Sequence, residues 1–304
     1  MIWRRCSMNE IELIESLKRL CPSNDSVILG IDDDAAILKA TLRESLVCAD
    51  MLMDGSHFLL NEAGPERIGH KALAVNLSDI AAMGGRALSA FVSLALPKHL
   101  AHEAFLLPFY RGMSALAREF DVAIAGGDTN IWNGPLVVNV TVLGEAHAKG
   151  PVRRSTAKAG DRIFVTGPLG NSIEGHHLSF RPRLDEAKQL MDEFTLNSMM
   201  DISDGLGKDL RTICRQSAVG ARIDRAAIPI RDTLKNHPDA LQKAFCDGED
   251  FELCFTLSEV EAQRLLGDQS FAYCRAIGRI SEGQDILWSD DLSPILWQGF
   301  EHQS

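Results

Sequence analysis

Seven of the aspartates, each in a short segment rich in Gly, Ser or Asp, most constrain what this chain can fold into. They are Asp33, Asp34, Asp50, Asp79, Asp128, Asp201 and Asp204. Carboxylates are poor core residues, so a fold must place them where the neighbouring apolar runs end. If these carboxylates converge, their mutual repulsion is tolerable only with hard cations between them. Proteins use hard cations such as Mg²⁺ to bind polyphosphates. The pattern therefore predicts a metal-dependent enzyme that acts on phosphates.

Composition supports this prediction and argues against other classes. The chain has 304 residues, 45% of them hydrophobic, which is enough for two ordinary domains. A formal net charge of -11 without a basic stripe argues against direct nucleic-acid binding. The 7 cysteines show no CxxC pairing and indicate reduced cytosolic thiols. No signal peptide or membrane span is indicated, so we expect a cytoplasmic protein that binds neither nucleic acid nor membrane.

Apolar periodicity predicts a mixed α+β first half. Gly64–Ala82 is the strongest helix, because Ile68, Leu73 and Leu77 lie on one continuous apolar face. Asp79 lies off that face, near the helix end. Further helices are predicted over residues 9–20 and about 101–119. Strands are predicted over residues 27–31, 46–52, 88–96 and 135–144, and one more strand leads into residues 126–128.

Residues 146–160 interrupt this periodicity and predict a domain boundary. We therefore expect an N-terminal domain over residues 1–148 and a C-terminal domain over residues 149–304. Strand and helix patterns alternate beyond the boundary, which predicts an α/β second domain. Strands are expected over residues 162–166 and 199–202 and helices over 184–194 and 205–216, with alternation continuing to residue 280.

Two turns are candidates for phosphate binding, since no GxxxxGK[ST] motif occurs. The amides of Gly167–Asn171 could hold a phosphate, although a plain strand-to-helix turn explains them at least as well. Ser203 and Asp204 precede a helix, where an N-cap is the simplest interpretation. An N-cap leaves Asp201 unexplained. Two carboxylates flanking a hydroxyl at a helix N-terminus therefore favour a metal and phosphate site.

The remaining aspartates have structural and functional interpretations. Asp33-Asp34 alone is more often a turn than a ligand pair. Asp50 follows a strand, where functional residues of sheet proteins concentrate. Asp79 suits a helix C-terminus poorly, a conflict that a bound cation would remove. Asp128 follows two glycines, which either let the backbone approach a ligand or form a type I or II turn.

Four other positions have simple structural interpretations. His57 is typical of a polar residue where a strand passes into a loop, and Arg154 is typical of a surface residue at the hinge between domains. Phe300 is typical of an aromatic residue that packs at the edge of a core. Glu249-Asp250 is typical of a charged turn. No Ser-His-Asp, Cys-His or HExxH arrangement is present in the sequence, so nucleophilic and zinc chemistry are unsupported.

The motifs are more specific together than singly. In chain order they are Gly30–Ala36, Asp50–Phe58, Lys71–Gly84, Gly126–Thr129 (GGDT), Asp201–Leu206 (DISDGL) and Gly248–Leu253 (GEDFEL). In this order the chain resembles the thiamine-monophosphate kinase family over nearly its full length, from about residue 9 to His302. The long helix motif is highly specific to that family, whereas GGDT and SDGL are shared across the wider superfamily.

The resemblance implies a two-domain fold like that of aminoimidazole ribonucleotide synthetase (PurM-like), with a mixed α+β N-terminal sheet domain that forms dimers and a C-terminal α/β domain. It implies a homodimer that transfers the γ-phosphoryl group of ATP to thiamine monophosphate, with several Mg²⁺ ions. The implied metal ligands are Asp34, Ala49 through its carbonyl, Asp50, Asp79, Asp128, Asp201 and Asp204. Implied ATP contacts are Gly127, Asp128, Arg154 and Ser203, and implied acceptor contacts are His57, Glu249 and Phe300. Asp50, Asp128 and Asp204 would carry catalysis.

A phosphate acceptor is consistent with the lack of a recognisable base. Its second pKa is about 6, so it is largely ionised at neutral pH. The difficulty is bringing two polyanions together, which several metals held by aspartates would overcome.

This chain also departs from the family pattern, and two other classes stay open. Ala49 stands where the family usually has threonine, Asp32 replaces a glycine, and Asp247 replaces the first glycine of GGED. A related ATP-dependent synthetase, such as selenophosphate synthetase, would need a reactive cysteine at a chain end, and Glu301–Ser304 has none. A non-catalytic nucleotide-binding homologue is the other alternative, against which the other acidic positions argue.

Overall fold

The computed structural model describes residues 10–31, 35–297 and 299–300. The sequence predictions for Asp33 and Asp34 lie outside the described residues. Two compact units are present, one containing the described residues up to 80 together with 85–148, the other containing 81–84 and those from 149 onward. In the described part of the chain, no helix is long and apolar enough to cross a membrane.

The first unit combines helices with a four-stranded sheet. Its elements are α1 (Glu10–Leu20), β1 (Val27–Leu29), β2 (Ile37–Leu38), β3 (Ser45–Met53), α2 (Leu60–Ala63), α3 (Pro65–Ala82), β4 (Arg86–Pro97), α4 (Glu103–Glu119), β5 (Ala123–Trp132) and β6 (Val137–Glu145). The strand order is β3-β6-β4-β5; β4 and β5 pair in parallel and the other neighbours are antiparallel. The predicted mixed α+β organisation is confirmed.

One face of this sheet is covered by α3 and α4, and the other is open. Tyr110 of α4 forms a hydrogen bond with Thr129 of β5, and Asp79 of α3 forms one with Asp50 of β3. Because side chains alternate along a strand, their neighbours in β3 point the opposite way. Val47 on this open face is 65% exposed. Around β3, as far as the described residues show, the open face is therefore apolar and exposed.

Helices α3 and α4 cross with their backbones in contact. A Cβ atom added at Gly112 would lie 1.9 Å from the carbonyl oxygen of Glu66, and one added at Gly69 would lie 1.9 Å from that of Phe109. We expect Gly112→Ala to lower the free energy of unfolding by about 3 kcal/mol, because backbone cannot move aside as a flexible side chain can. Urea unfolding would show this as a lower midpoint with an unchanged slope.

Gly30→Ala is the matched control in the same unit. Its added Cβ would lie 3.6 Å from Val27 Cγ1, an ordinary contact. We expect its unfolding midpoint to match that of the wild type. A Gly112→Ala variant with the same midpoint as Gly30→Ala would contradict the close crossing.

The second unit is built on a six-stranded sheet. Its elements are β7 (Arg162–Val165), α5 (Leu184–Glu193), β8 (Leu196–Asp201), α6 (Leu206–Ser217), β9 (Gly220–Ile223), α7 (Ala240–Cys246), β10 (Leu253–Leu257), α8 (Glu259–Gly267), β11 (Arg275–Ser281) and β12 (Ile286–Trp288). The strand order is β12-β9-β11-β7-β10-β8. The predicted alternation of strands and helices is confirmed, although among these described strands β12 and β9 pair in parallel and the other neighbours are antiparallel.

Candidate active site

Asp50 is held by its backbone in the interior of β3. Its amide donates to Asn76 Oδ1 (3.1 Å), and its carbonyl oxygen accepts from Asn139 Nδ2 (3.2 Å). Asn76 is fully buried and donates in turn to the carbonyl of Ala72 in α3. The strand continues to Met53, so Asp50 lies inside β3 and not, as was expected, at the point where the strand emerges. These two asparagines, which sequence reasoning did not single out, fix the direction of the Asp50 carboxylate.

Asp50 and Asp79 form a close carboxylate pair. Burial raises the pKa of Asp50, and the hydrogen bond with Asp79 offsets only part of that rise. Two half-buried carboxylates this close repel each other unless a proton or a cation lies between them. Asp79 is half-buried between fully buried neighbours in α3 and faces the sheet at Asp50, so the helix has no exposed face there of the kind the sequence suggested. The structure therefore brings together two of the predicted metal ligands.

His57 lies in the turn after β3 and is held at both its ring and its backbone. Its Nδ1 accepts from the amide of Met53 (3.1 Å), and its carbonyl oxygen accepts from Lys71 Nζ (2.6 Å). Lys71 is fully buried although it carries a charge. The sequence signal for it is a lysine directly before the apolar run Ala72–Val75 of α3. Lys71 therefore fixes the backbone at His57.

Asp128 lies in the middle of β5, where it is exposed. Its Oδ1 accepts from the amide of Thr129 (2.8 Å), and its Oδ2 accepts from Asn130 Nδ2 (2.7 Å). The turn interpretation of Gly126–Thr129 is wrong, because β5 runs straight through it. A Cβ atom at Gly127 would lie 1.9 Å from the Val92 carbonyl oxygen, so strand pairing alone requires glycine there.

Asp50 and Asp128 face opposite sides of the sheet. Thr129 contacts α4, so the preceding residue in β5 points away from the helices, whereas Asp50 points toward α3. Strands β3 and β5 are also the two edges of the sheet, separated by three spacings of about 4.8 Å each. Within the first unit, these two aspartates cannot bind the same ion. Ala49, between Cys48 and Asp50, pairs with Thr141 in β6.

In the second unit, the turn from Asp201 to Gly205 joins β8 to α6. Asp201 ends β8 and is buried, and Ser203 and Asp204 follow at intermediate exposure. Gly205 occupies the N-cap position of α6, and no side chain caps the helix. The N-cap interpretation of Ser203 and Asp204 is therefore wrong. Their polar groups are not used to start the helix.

Three carboxylates crowd around this turn. Asp209 Oδ2 accepts from the amide of Asp204 (3.1 Å). Burial, together with the charges of Asp201 and Asp204, raises the pKa of Asp209 to about 8, with partial relief from the Asp204 amide and Arg154. Sequence reasoning missed Asp209, although an aspartate between Leu206 and Leu210 on the buried side of a helix is a usable signal. The negative charges of these carboxylates would therefore stabilise a cation bound at this turn.

Glu249 and Phe300 lie against the same turn. The amide of Glu249 donates to the carbonyl of Ser203 (2.7 Å), and the amide of Phe300 donates to the carbonyl of Asp204 (2.8 Å). Lys208 Nζ contacts both Asp204 Oδ2 and the Phe300 carbonyl, each at 2.8 Å. The structure thus brings together Ser203, Asp204, Glu249 and Phe300. The Phe300 ring is half exposed and suited to contact a ligand.

The turn at Gly167–Asn171 is not arranged as a phosphate cradle. The amide of Gly170 donates to Asp250 Oδ1 (2.9 Å), and the amide of Asn171 donates to Asp247 Oδ2 (3.0 Å). Protein carboxylates therefore occupy the donors that a phosphate would need, and the plain turn is the correct interpretation.

The aspartates have the donor chemistry of Mg²⁺ sites. Among the residues that the structure describes, no three His, Cys, Asp or Glu side chains lie close enough together to hold one metal ion. The hard oxygen donors instead occur as the Asp50–Asp79 pair and as the crowded turn around Asp204. In both places burial or like charge raises a carboxyl pKa, and a cation would relieve that cost. The residues present fit hard divalent cations.

Comparison with known proteins identifies the fold and then the family. Family models described as AIR synthase related protein match residues 32–146 (N-terminal domain) and 152–288 (C-terminal domain). Fold and site together define a two-domain protein of the AIR synthase related class.

The relatives narrow this class. The thiamine-monophosphate kinase of Rhodopirellula baltica is 36% identical over 294 residues, which cover 91% of this chain and 92% of the relative. The crystal structure of thiamine-monophosphate kinase from Stenotrophomonas maltophilia K279a has a TM-score of 0.82 at 32% identity, covering 94% of this chain and 98% of that one. A structure described as "AaThiL complexed with AMPPCP and TMP" has a TM-score of 0.77 at 28% identity, covering 97% of both chains. The chain belongs to the thiamine-monophosphate kinase family.

Proposed function

We propose that this protein transfers the γ-phosphoryl group of ATP to thiamine monophosphate, giving thiamine diphosphate and ADP. Family membership across nearly the whole chain carries the proposal. A relative of the same fold is described in complex with an ATP analogue and TMP, which supports the pair of substrates. The protein would act in the cytoplasm, as a step in thiamine diphosphate biosynthesis.

The proposed metal sites follow from the positions of the aspartates. In the N-terminal domain, residues 1–148, Asp50 and Asp79 would hold one Mg²⁺ ion, and Asp128 would ligate another from the opposite face. Asp201 and Asp204 would hold Mg²⁺ in the C-terminal domain, residues 149–304. Asp34 and the Ala49 carbonyl complete the proposed ligands. Bound Mg²⁺ would neutralise phosphate charge as the two anionic substrates approach.

The remaining proposed roles concern the two substrates. Gly127, Arg154 and Ser203 would contact ATP. His57, Glu249 and Phe300 would position the thiamine rings of the acceptor. The convergence of Glu249 and Phe300 on the Ser203–Asp204 backbone supports a common site for nucleotide and acceptor groups in the second unit. Lys208 joins Asp204 to Phe300, because its Nζ contacts both the Asp204 carboxylate and the Phe300 carbonyl.

A direct assay tests the proposed function. Purified protein is incubated with ATP, Mg²⁺ and thiamine monophosphate, and thiamine diphosphate is quantified by chromatography. We expect thiamine diphosphate and ADP to form in equal amounts, and neither to form above background when EDTA replaces Mg²⁺. Formation of ADP without thiamine diphosphate would instead indicate an ATPase or another acceptor, and would contradict the proposal.

We further propose that the protein is a homodimer joined through the open face of the first sheet. Val47, Met51 and Met53 are 65%, 54% and 38% exposed on strand β3, and Phe91 of β4 is only half buried. A soluble chain rarely leaves such an apolar face uncovered. Sedimentation at micromolar concentration is expected to give a species of twice the 33.3 kDa chain mass.

Single substitutions test where the copies meet. Val47→Glu should shift the protein toward monomer, because it places a charge in the apolar interface of each copy. Val260→Glu is the matched control, since Val260 is 72% exposed but lies on α8 in the second unit. A monomeric wild type, or equal dissociation of both variants, would contradict this interface.

A further inference from the structure

The charged segment that follows Gly248 is not the solvent-exposed turn that its composition suggests. Asp250 and Glu252 are only 1% and 2% exposed. Each has a partly exposed arginine partner: Arg231 Nη2 contacts Asp250 Oδ1 at 3.0 Å, and Arg183 Nη2 contacts Glu252 Oε1 at 2.7 Å. Neither acid has a role in the proposed chemistry. Their burial therefore needs another explanation.

The backbone of this segment is unusual on both sides of Asp250. Glu249 has φ +56° and Phe251 has φ +51°, so two non-glycine residues occupy the left-handed region with one residue between them. Such conformations persist only where the surroundings enforce them, and they concentrate at ligand sites. The amides of Glu249 and Phe251 donate to the carbonyls of Ser203 (2.7 Å) and Ile202 (2.8 Å). Glu249 is thus held against the turn that carries Asp204.

The Asp250 carboxylate is the centre of the contacts that enforce this conformation. Its oxygens accept from the Gly170 amide at 2.9 and 3.1 Å, from the Ser172 hydroxyl, and from Arg231. Arg231 also donates through Nε to the Gly170 carbonyl (2.9 Å) and through Nη2 to the Pro168 carbonyl (3.1 Å). The guanidinium therefore ties the turn containing Pro168 and Gly170 to Asp250.

A second set of contacts holds the far end of the segment independently of Arg231. Glu252 accepts from Thr166 Oγ1 (2.6 Å) and from Arg183. The ring of Phe251 stacks on that of Phe180, with centroids 4.1 Å apart and an interplanar angle of 11°. Loss of Arg231 would therefore loosen the Glu249 end of the segment, which keeps only its weaker contacts, while the Phe251 end stays anchored.

We propose that Arg231 is a positioning residue for the acceptor substrate, acting through Asp250 to hold Glu249 in its left-handed conformation beside Ser203. Arg231 touches no proposed substrate-binding side chain; it acts on the acceptor only through the backbone of Glu249. The inference rests on the proposed function, in which Glu249 contacts thiamine monophosphate.

Steady-state kinetics of Arg231→Gln test this role. We expect the KM for thiamine monophosphate to rise at least about tenfold, while the KM for ATP changes by less than about twofold, because only the acceptor contact is displaced. Arg231→Lys keeps the charge but loses the planar pair of guanidinium donors. Its KM for thiamine monophosphate should therefore lie between those of Arg231→Gln and the wild type. Arg225→Gln is the matched control, since Arg225 pairs with Asp290 and Asp291 away from this segment, and both KM values should stay at wild type.

A double-mutant cycle separates positioning from general stabilisation. If Arg231 acts through Glu249, Arg231→Gln should raise the acceptor KM much less in a Glu249→Gln background than in wild type. Full additivity of the two effects would overturn the proposal. A lower melting temperature with both KM values unchanged would also overturn it, since that is the result of a purely structural ion pair.

Ser172→Ala provides a gentler variant in case Arg231→Gln does not fold. It removes one hydrogen bond to Asp250 and a long one from Arg231 Nη2 (3.4 Å), and keeps the Arg231–Asp250 ion pair. We expect a smaller rise in the same acceptor KM, about threefold, and an unchanged KM counts against the proposal. Failure of the wild type to phosphorylate thiamine monophosphate would remove the proposed function, and the positioning role with it. Normal wild-type turnover with unaffected variants removes the positioning role alone.

Discussion

Asp204→Asn is expected to lower turnover about 10³-fold while the protein remains folded, because it removes one charged ligand from a site that needs cations. The Asp204 carboxylate contacts Lys208 at 2.8 Å, and its charge is one cause of the raised pKa of Asp209. Losing the half-exposed ion pair costs little, about 0 to 1 kcal/mol, and relief of repulsion at Asp209 offsets it. Turnover at saturating ATP and acceptor, with the melting temperature measured in parallel, checks both parts.

Asp192→Asn is the matched control for this substitution. Asp192 pairs with Lys188 four residues away, as Asp204 does with Lys208, but on the surface of α5. Its turnover should equal that of the wild type. Mg²⁺ gives a readout independent of activity, since it should raise the melting temperature of the wild type more than that of Asp204→Asn. Near-normal turnover of Asp204→Asn at limiting Mg²⁺ would contradict a ligand role.

Asp128→Asn is expected to lower turnover as Asp204→Asn does, because Asp128 is proposed to ligate a different Mg²⁺ ion. It lies on the face of the first sheet opposite Asp50, so Asp128→Asn should leave the Asp50–Asp79 pair unchanged. We expect a similar loss of turnover, about 10³-fold, with no change in stability, because Asp128 is exposed and its partners are its own neighbours. Turnover within about tenfold of wild type would remove Asp128 from the catalytic set.

The elements with strong local periodicity were predictable from sequence. Helix α3 was expected over Gly64–Ala82 and is found over Pro65–Ala82, because its apolar residues recur at helical spacing. The strand expected over Leu46–Leu52 is found over Ser45–Met53, because its side chains alternate between the two faces of the sheet. Local patterns were sufficient here because the apolar residues of each element recur at the spacing that its secondary structure requires.

Features set by distant pairing were not predictable. Gly126–Thr129 has the composition of a turn, yet pairing with β4 keeps it extended, and the sequence does not show that partner. Asp250 has the composition of a charged turn, yet its partner amide is at Gly170, 80 residues earlier. In both cases tertiary contacts override the local preference. The DISDGL motif was sufficient to select Ser203 and Asp204 as candidate site residues. Asp209 and Arg231 could not be selected in this way, because their contacts with the site are seen only in the folded structure.

Thiamine monophosphate is expected to be used at least about 10³ times more efficiently than free thiamine, because an alcohol acceptor needs a general base and a phosphate does not. The phosphate has a second pKa of about 6, so it arrives as a nucleophilic dianion at neutral pH. His57, the imidazole among the proposed acceptor contacts, already accepts at Nδ1 from the Met53 amide. Its neutral ring therefore carries the proton on Nε2 and is poorly suited to remove one from an alcohol.

Competition between the two acceptors in one reaction tests this expectation. With both at equal concentration and ATP limiting, thiamine diphosphate should form and thiamine monophosphate should not accumulate from thiamine. The value of kcat/KM for the phosphate acceptor should fall as pH drops below about 6, because protonation of the dianion removes the nucleophile. His57→Gln should raise the acceptor KM but keep kcat within about tenfold, as expected of a group that positions the acceptor without taking its proton. Efficient phosphorylation of thiamine that disappears in His57→Gln would show instead that this imidazole is a general base.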